Sequence, residues 1–142
     1  MTTAIRLARP DDAAAVCAID ARAADTPERA PFMVRAIAAG ECTVAIDGGA
    51  IVGYAVLDRS FFEQPFVSLL IVAASQRRRG VGAMLMRHIE SICPEGKLFT
   101  STNESNAPMR ALCEQLGFVR SGYIDNLDDG DPEIVYFKRV TR

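Results

Sequence analysis

Tryptophan is absent from this chain of 142 residues, and histidine occurs once, as His88. Long apolar runs are missing as well. The longest nearly apolar stretch, Phe66 to Ala74, falls far short of the roughly 20 residues that a membrane-spanning helix needs. The start, Met1-Thr2-Thr3-Ala4-Ile5-Arg6, lacks the basic opening and apolar core of a secretion signal. The expectation is a cytoplasmic protein without a membrane partner. Paired cysteine spacing is also lacking. Cys17, Cys42, Cys93 and Cys113 stand far apart and read as free thiols, not as a disulfide or zinc framework, so no metal site is expected. There is no excess of basic residues. The net charge of −2 argues against nucleic acid as the main partner. Repeats, low-complexity tracts and linkers are absent. What remains is a length suited to one domain, residues 1–142, with 49% apolar residues to build its core.

The periodicities predict an alternation of strands and helices. Thr3 to Ala8 reads as a first strand. Pro10-Asp11-Asp12 caps a helix carrying Val16, Cys17 and Ile19, and Thr26-Pro27-Glu28 opens a second that Gly40 closes. Cys42 to Ile46 and Ile51 to Leu57 read as strands joined by a turn at Asp47-Gly48-Gly49. Pro65 to Ala73 is apolar on both faces, which predicts a central strand covered on both sides. A helix over Gly80 to Cys93 and a strand over Lys97 to Thr102 follow. Ser105 or Asn106 caps the next helix, which Gly117 stops. Phe118 to Ile124 and Glu133 to Arg139 close the chain as strands, joined by the acidic loop Asn126 to Pro132. That loop reads as a solvated hairpin, or as an attractor for a cationic amine. Tyr54, Tyr123 and Tyr136 read as strand residues used for packing, and His88 as a core or boundary residue.

The richest stretch is Val72-Ala73-Ala74-Ser75-Gln76-Arg77-Arg78-Arg79-Gly80-Val81-Gly82-Ala83-Met84-Leu85. A strand feeds an arginine turn, two glycines, and apolar residues at helical spacing. Glycine in a helix costs about 1 kcal/mol against alanine, so two in the opening turn need a reason. Close approach of a ligand to bare backbone is one. The first N–H groups of a helix lack internal partners and carry the positive end of its dipole, which suits a phosphate or pyrophosphate. Neither the dinucleotide fingerprint nor the P-loop fits. Leu85 stands where the third glycine of the former would be, and no Gly-Lys-Ser/Thr follows.

Arg77-x-x-Gly80-x-Gly82 resembles the acetyl-CoA motif of the GNAT N-acetyltransferase superfamily, Arg/Gln-x-x-Gly-x-Gly/Ala. Asn106 through Leu116-Gly117-Phe118 resembles the family's second signature, and the order β-α-α-β-β-β-α-β-α-β-β matches throughout. The resemblance implies an α/β fold with a mixed, largely antiparallel sheet of about seven strands. About four helices would flank it, and it would splay between strands 4 and 5. It implies acetyl-CoA as co-substrate and direct attack of a primary amine on the thioester. The amine would belong to a small molecule or to a peptide or protein N-terminus. Cofactor contacts would come from Leu70, Ile71 and Val72, from Arg77, Arg78, Arg79, Gly80, Val81, Gly82 and Ala83, and from Asn106.

Departures from the family pattern sharpen the chemistry. Many members carry a tyrosine after that asparagine, as acid for the CoA thiolate. Here the matching residue is Cys113, on the apolar stripe Met109, Leu112, Leu116. It is either a buried small hydrophobe or a thiol replacing the phenol. Ribosomal-protein N-terminal acetyltransferases have a basic glutamate five residues before the asparagine. Here that position is Ser101, which could hold a water. The base of histone-type members falls at Val67. Glu63 and Glu104 are nearby carboxylates, by default on the surface. An α-amine near ~8 needs less help than a lysine near ~10.4, which tilts the expectation toward a small-molecule or α-amine acceptor. A non-catalytic acyl-CoA-binding module of the same fold is the alternative. Oligomeric state, a homodimer included, stays open.

Overall fold

Seven strands and four helices form among the described residues, in the predicted order. The computed structural model describes residues 2–20, 25–77 and 79–142. The elements are β1 (Thr3–Leu7), α1 (Ala13–Ile19), α2 (Arg29–Ala38), β2 (Cys42–Asp47), β3 (Ala50–Phe61), β4 (Gln64–Val72), α3 (Val81–Ile92), β5 (Gly96–Asn103), α4 (Ala107–Gln115), β6 (Val119–Ile124) and β7 (Glu133–Val140). One mixed sheet holds the strands in the order β1-β2-β3-β4-β5-β7-β6. β1–β2, β2–β3, β5–β7 and β6–β7 are antiparallel. β4 and β5 are parallel, and their register spans only Phe66↔Phe99 and Val67↔Thr100. Among the described residues no helix is long and apolar enough to cross a membrane.

The chain divides into two compact units. The first comprises Met1–Leu57 and Leu69–Ile89. Its core is built from Val16 of α1, Met33 and Ile37 of α2, and Cys42, Val44, Tyr54 and Val56 of β2 and β3. A charged group sits inside it. Asp20, 5% exposed, closes α1 and accepts hydrogen bonds from the Arg29 guanidinium and, at 3.3 Å, from the Tyr54 hydroxyl. Pairing is what makes burial of that carboxylate tolerable. Burial, with the Asp20 charge added, pushes the Tyr54 hydroxyl above its ordinary range.

The second unit comprises Asp58–Ser68 and Glu90–Arg142. On one face of its sheet Leu98, Thr100 and Thr102 of β5 and Ile134 and Tyr136 of β7 are all buried. Thr100 offsets its burial by donating to the Val67 carbonyl at 3.0 Å. α4 starts on the Asn106 cap and ends at Gly117. There the Phe118 N–H reaches back to the Cys113 carbonyl at 2.9 Å, and Lys138 Nζ donates to the Leu116 carbonyl.

Several boundaries differ from the sequence pattern. β3 runs four residues past the predicted Leu57, to Phe61, and turns into β4 through Phe62 and Glu63, both at positive φ. Neither is a usual turn residue, so the hairpin carries no compositional signal. α2 begins at Arg29, two residues later than the Thr26 cap and Pro27 suggest, and α3 at Val81, leaving Gly80 outside. In β4 only Pro65 and Val67 are buried; Ser68 to Val72 are half-buried, so the strand is not covered on both faces as its apolar run predicts. β6 is exposed along its whole length as the sheet's edge, and Tyr123 is 60% exposed instead of packed.

Candidate active site

The glycine turn lies in the first unit and is built from the strand outward. Leu70, Ile71 and Val72 of β4 are half-buried. The Ala73 N–H then donates to the Val52 carbonyl at 2.8 Å, anchoring the strand's end. A 3-10 turn over Ala74–Gln76 leads to Arg77 and Arg79, both exposed; Arg78 lies outside the described residues. Gly80 stands at φ +79°, which L side chains rarely adopt, and an added Cβ there would meet nothing within 4 Å. Its carbonyl accepts from the Met84 N–H, so the helix proper begins at Val81. The amides of Val81, Gly82 and Ala83 therefore open α3, where helical N–H groups have no internal partners. An open backbone turn, exposed guanidiniums and a helix start together suit a pyrophosphate.

Gly53, which the sequence reading passes over, fixes where that helix lies. A Cβ at Gly53 would stand 3.0 Å from Val81 Cγ1, 3.1 Å from the Ile71 carbonyl and 3.2 Å from Leu85 Cδ1. Only the bare backbone of β3 lets the first turn of α3 come so close. A glycine inside a strand pattern is the sequence signal for such an approach.

Ser101, Asn106 and Cys113 lie in the second unit. Asn106 is exposed and caps α4, its Oδ1 accepting from the Met109 N–H at 3.3 Å. Cys113 is fully buried, and burial, reinforced by Glu114, pushes its thiol up to about 12. Cys17, Cys42 and Cys93 are free like Cys113. His88 is half-buried, the boundary position expected of it. Val67 is buried and uses its carbonyl for Thr100. Glu63 is exposed in the β3–β4 turn, and Glu104 is exposed after β5.

The carboxylate that meets Ser101 comes from elsewhere in the sequence. Ser101 Oγ donates to Glu133 Oε2 at 2.7 Å. Glu133 opens β7, and its register partner is Asn103, two residues beyond Ser101 on the same face of β5. In sequence Glu133 reads as the first residue of the last strand, just after an acidic loop. Only the antiparallel pairing of β5 with β7, over thirty residues apart, brings it to the serine. A second pair stands on β3 and β4, where Ser68 Oγ donates to Asp58 Oδ2 at 2.8 Å. The loop itself is tied down at both ends. Asn103 Nδ2 donates to Asp128 Oδ2, and Ser105 Oγ to Asp131 Oδ2. Residues 125–130 are exposed, consistent with a solvated hairpin. Among the described residues no group of three or more His, Cys, Asp or Glu is arranged to hold a metal ion.

Known proteins share this fold. The family model described as Acetyltransferase (GNAT) family matches residues 11–118. A GNAT-family acetyltransferase from Bacillus cereus ATCC 10987 is 34% identical, each chain covered in full, with a TM-score of 0.93. YncA from Salmonella typhimurium, solved with its cofactor acetyl-CoA, has a TM-score of 0.79 at 19% identity, with 100% of this chain and 96% of that one covered. The ribosomal-protein-S18-alanine N-acetyltransferase of Escherichia coli has a TM-score of 0.78 at 19% identity, over 99% and 96%. These last two likenesses show the fold. No curated protein matches the chain. With its motifs, its strand order and a family model spanning most of its length in agreement, the chain belongs to the GNAT family of acetyltransferases.

Proposed function

We propose that residues 1–142 act as one catalytic domain that transfers an acetyl group from acetyl-CoA to a primary amine, by direct attack of the amine on the thioester. The observation that carries this reading is the glycine turn. Gly80 adopts a conformation that L side chains rarely take, opens onto free space and delivers the chain to the first amides of α3. Val81, Gly82 and Ala83 would hold the pyrophosphate through backbone N–H groups, with Arg77, Arg78 and Arg79 adding charge. Leu70, Ile71 and Val72 would face the pantetheine and thioester. Their half-buried state supports this, because an apolar strand left partly uncovered offers surface to an apolar arm. Asn106 would add a contact from the start of α4; its Nδ2 is not engaged in the cap.

Attack forms the C–N bond, and collapse of the tetrahedral intermediate breaks the C–S bond. The nitrogen of the neutral amine loses one proton, and the CoA thiolate takes one up. Backbone donors fixed before the charge develops are the economical way to hold the oxyanion. The acceptor is a small-molecule amine or a peptide N-terminus. The reaction involves neither nucleic acid nor a membrane.

Gly82→Val tests the cofactor's placement. A branched side chain at the second amide of α3 should weaken acetyl-CoA binding at least tenfold, about 1.4 kcal/mol, in a protein with unchanged circular dichroism. Wild-type affinity by titration calorimetry would remove the pyrophosphate from this turn.

A further inference from the structure

On β5 and β7 the face that carries Thr100 and Tyr136 is buried; on the opposite face Phe99, Ser101, Glu133 and Phe137 are half-buried and Val135 is buried. On that half-buried face three phenylalanines form a row across the strands: Phe66 of β4, Phe99 of β5 and Phe137 of β7. Phe66 and Phe99 are register partners, as are Phe99 and Phe137. The Phe99 and Phe137 rings lie 5.3 Å apart. Phe61 stacks on Phe66 at 5.0 Å and leans on Phe99 at 5.4 Å, extending the row. One strand step further along the same face stand Ser68, Ser101 and Val135, and then Asn103 and Glu133.

The two serine–carboxylate pairs on these strands differ in how fully they are satisfied. Asp58 accepts from Ser68 Oγ, from Ser60 Oγ and from the Ser60 N–H. It is a saturated structural acceptor. Glu133 accepts only from Ser101, through Oε2; its Oε1 has no partner among the described residues. Glu133 is half-buried, so its charge is not fully solvated either. A carboxylate held at one oxygen and open at the other, beside an aromatic floor, has an evident complement. That complement is a primary ammonium on an apolar arm. Among the described residues no cation is paired with Glu133; further along the same face Arg139 lies over the Phe137 ring, 5.7 Å from its centroid. Ser101 and Asn103 face Glu133 from β5 and Ile124 from β6, and the loop carboxylates Asp128 and Asp131 are held on Asn103 and Ser105.

We propose that this half-buried face receives the acetyl acceptor, a primary amine on an aromatic or bulky apolar arm, and that Glu133 is its catalytic base. Ser101 is the positioning residue that aims the carboxylate. The ammonium binds Glu133 Oε1 while its arm lies on the phenylalanine row. Its proton passes to the carboxylate, and the neutral nitrogen attacks the thioester carbonyl. The C–N bond forms, the C–S bond breaks, and CoA leaves as thiolate, which takes up a proton. The second proton lost by the nitrogen goes to solvent, as does the one Glu133 releases on resetting. The balance is ammonium plus acetyl-CoA to acetamide, CoA thiol and one proton. This rests on the acetyl-CoA reading above.

The test uses acetyl-CoA with 2-phenylethylamine and phenylalaninamide as probes, ethylamine as the armless comparison, and calorimetry of acetyl-CoA alone. Wild type should prefer the aromatic amines in kcat/KM. Glu133→Gln, which keeps an oxygen for Ser101 to donate to, should lose about 10²-fold or more in kcat/KM with unchanged acetyl-CoA affinity. The deficit should narrow as pH rises toward the amine's own pKa, where solution supplies the neutral amine. Ser101→Ala should keep more activity. Ser101→Thr, which keeps the hydroxyl that donates to Glu133, should restore what the alanine loses. Wild-type rates and pH profile in Glu133→Gln, no preference for the aromatic probes, or ethylamine turnover alone would overturn the proposal. Failure of wild type to bind acetyl-CoA would instead overturn the reading beneath it.

Discussion

Cys113 and Ser101 occupy two of the positions where this chain departs from the family pattern, and their surroundings differ sharply. Cys113 is fully buried, and its thiol is pushed up to about 12, first by burial and then by Glu114. Passing its proton to a thiolate of ordinary pKa near ~8.5 would be uphill by on the order of 5 kcal/mol. That supports the packing reading over the acid reading. Cys113→Ala should therefore lower stability by about 1 kcal/mol, roughly 4 °C in Tm at this length, and leave kcat near wild type. A tenfold loss of kcat with unchanged acetyl-CoA affinity would restore the catalytic thiol. Ser101 was legible as the vacant position of a carboxylate. Glu133, the carboxylate that its hydroxyl meets, was not. The pairing belongs to β5 and β7 together, and no local pattern around either residue expresses it. The Asp20–Arg29–Tyr54 cluster was hidden for the same reason: each member is unremarkable in its own segment, and only the packing of α1, α2 and β3 brings them together.

At the scale of elements, the strand–turn–helix around Gly80 was readable because its chemistry is local. Apolar alternation stops, glycines follow, and helical spacing begins within a dozen residues. The helix start was off by one residue, which is the scale at which caps and 3-10 turns blur a boundary. The β3–β4 hairpin was not readable, because Phe62 and Glu63 reach positive φ without glycine, asparagine or aspartate. β6 shows how an exposed edge is managed. Its pairing with β7 shifts between Arg120 and Tyr123, and that irregularity spoils the flat template that another strand would need. Packing between β3 and α3 makes a further prediction. Gly53→Ala places a methyl at 3.0 Å from Val81 Cγ1 and 3.1 Å from the Ile71 carbonyl, and backbone cannot give way cheaply. The expected cost is about 1–3 kcal/mol. Acetyl-CoA affinity should fall with it, because the first turn of α3 is displaced. A melting temperature and affinity both equal to wild type would mean that the close approach does not set the helix's position.

For the whole molecule, element order and sheet composition followed from the sequence because periodicity, turn chemistry and caps agree along nearly every segment. Such agreement is what directs a chain to one fold. The mixed seven-stranded sheet and its parallel β4–β5 pair match the architecture that the motifs imply. Exposure was harder to read. The apolar run of β4 predicts complete burial, yet Ser68 to Val72 are half-buried, since an apolar segment looks the same whether it awaits a core or a ligand. The central claim is that this surface and the glycine turn serve acetyl transfer to an amine. The most direct measurement is CoA release from acetyl-CoA by purified wild-type protein, followed with and without a panel of primary amines, with mass spectrometry of the amines. Amine-dependent CoA release, matched mole for mole by acetylated amine, is the predicted result. Acetyl-CoA binding with no acetylated product from any amine would contradict it and identify a binding module in place of an enzyme.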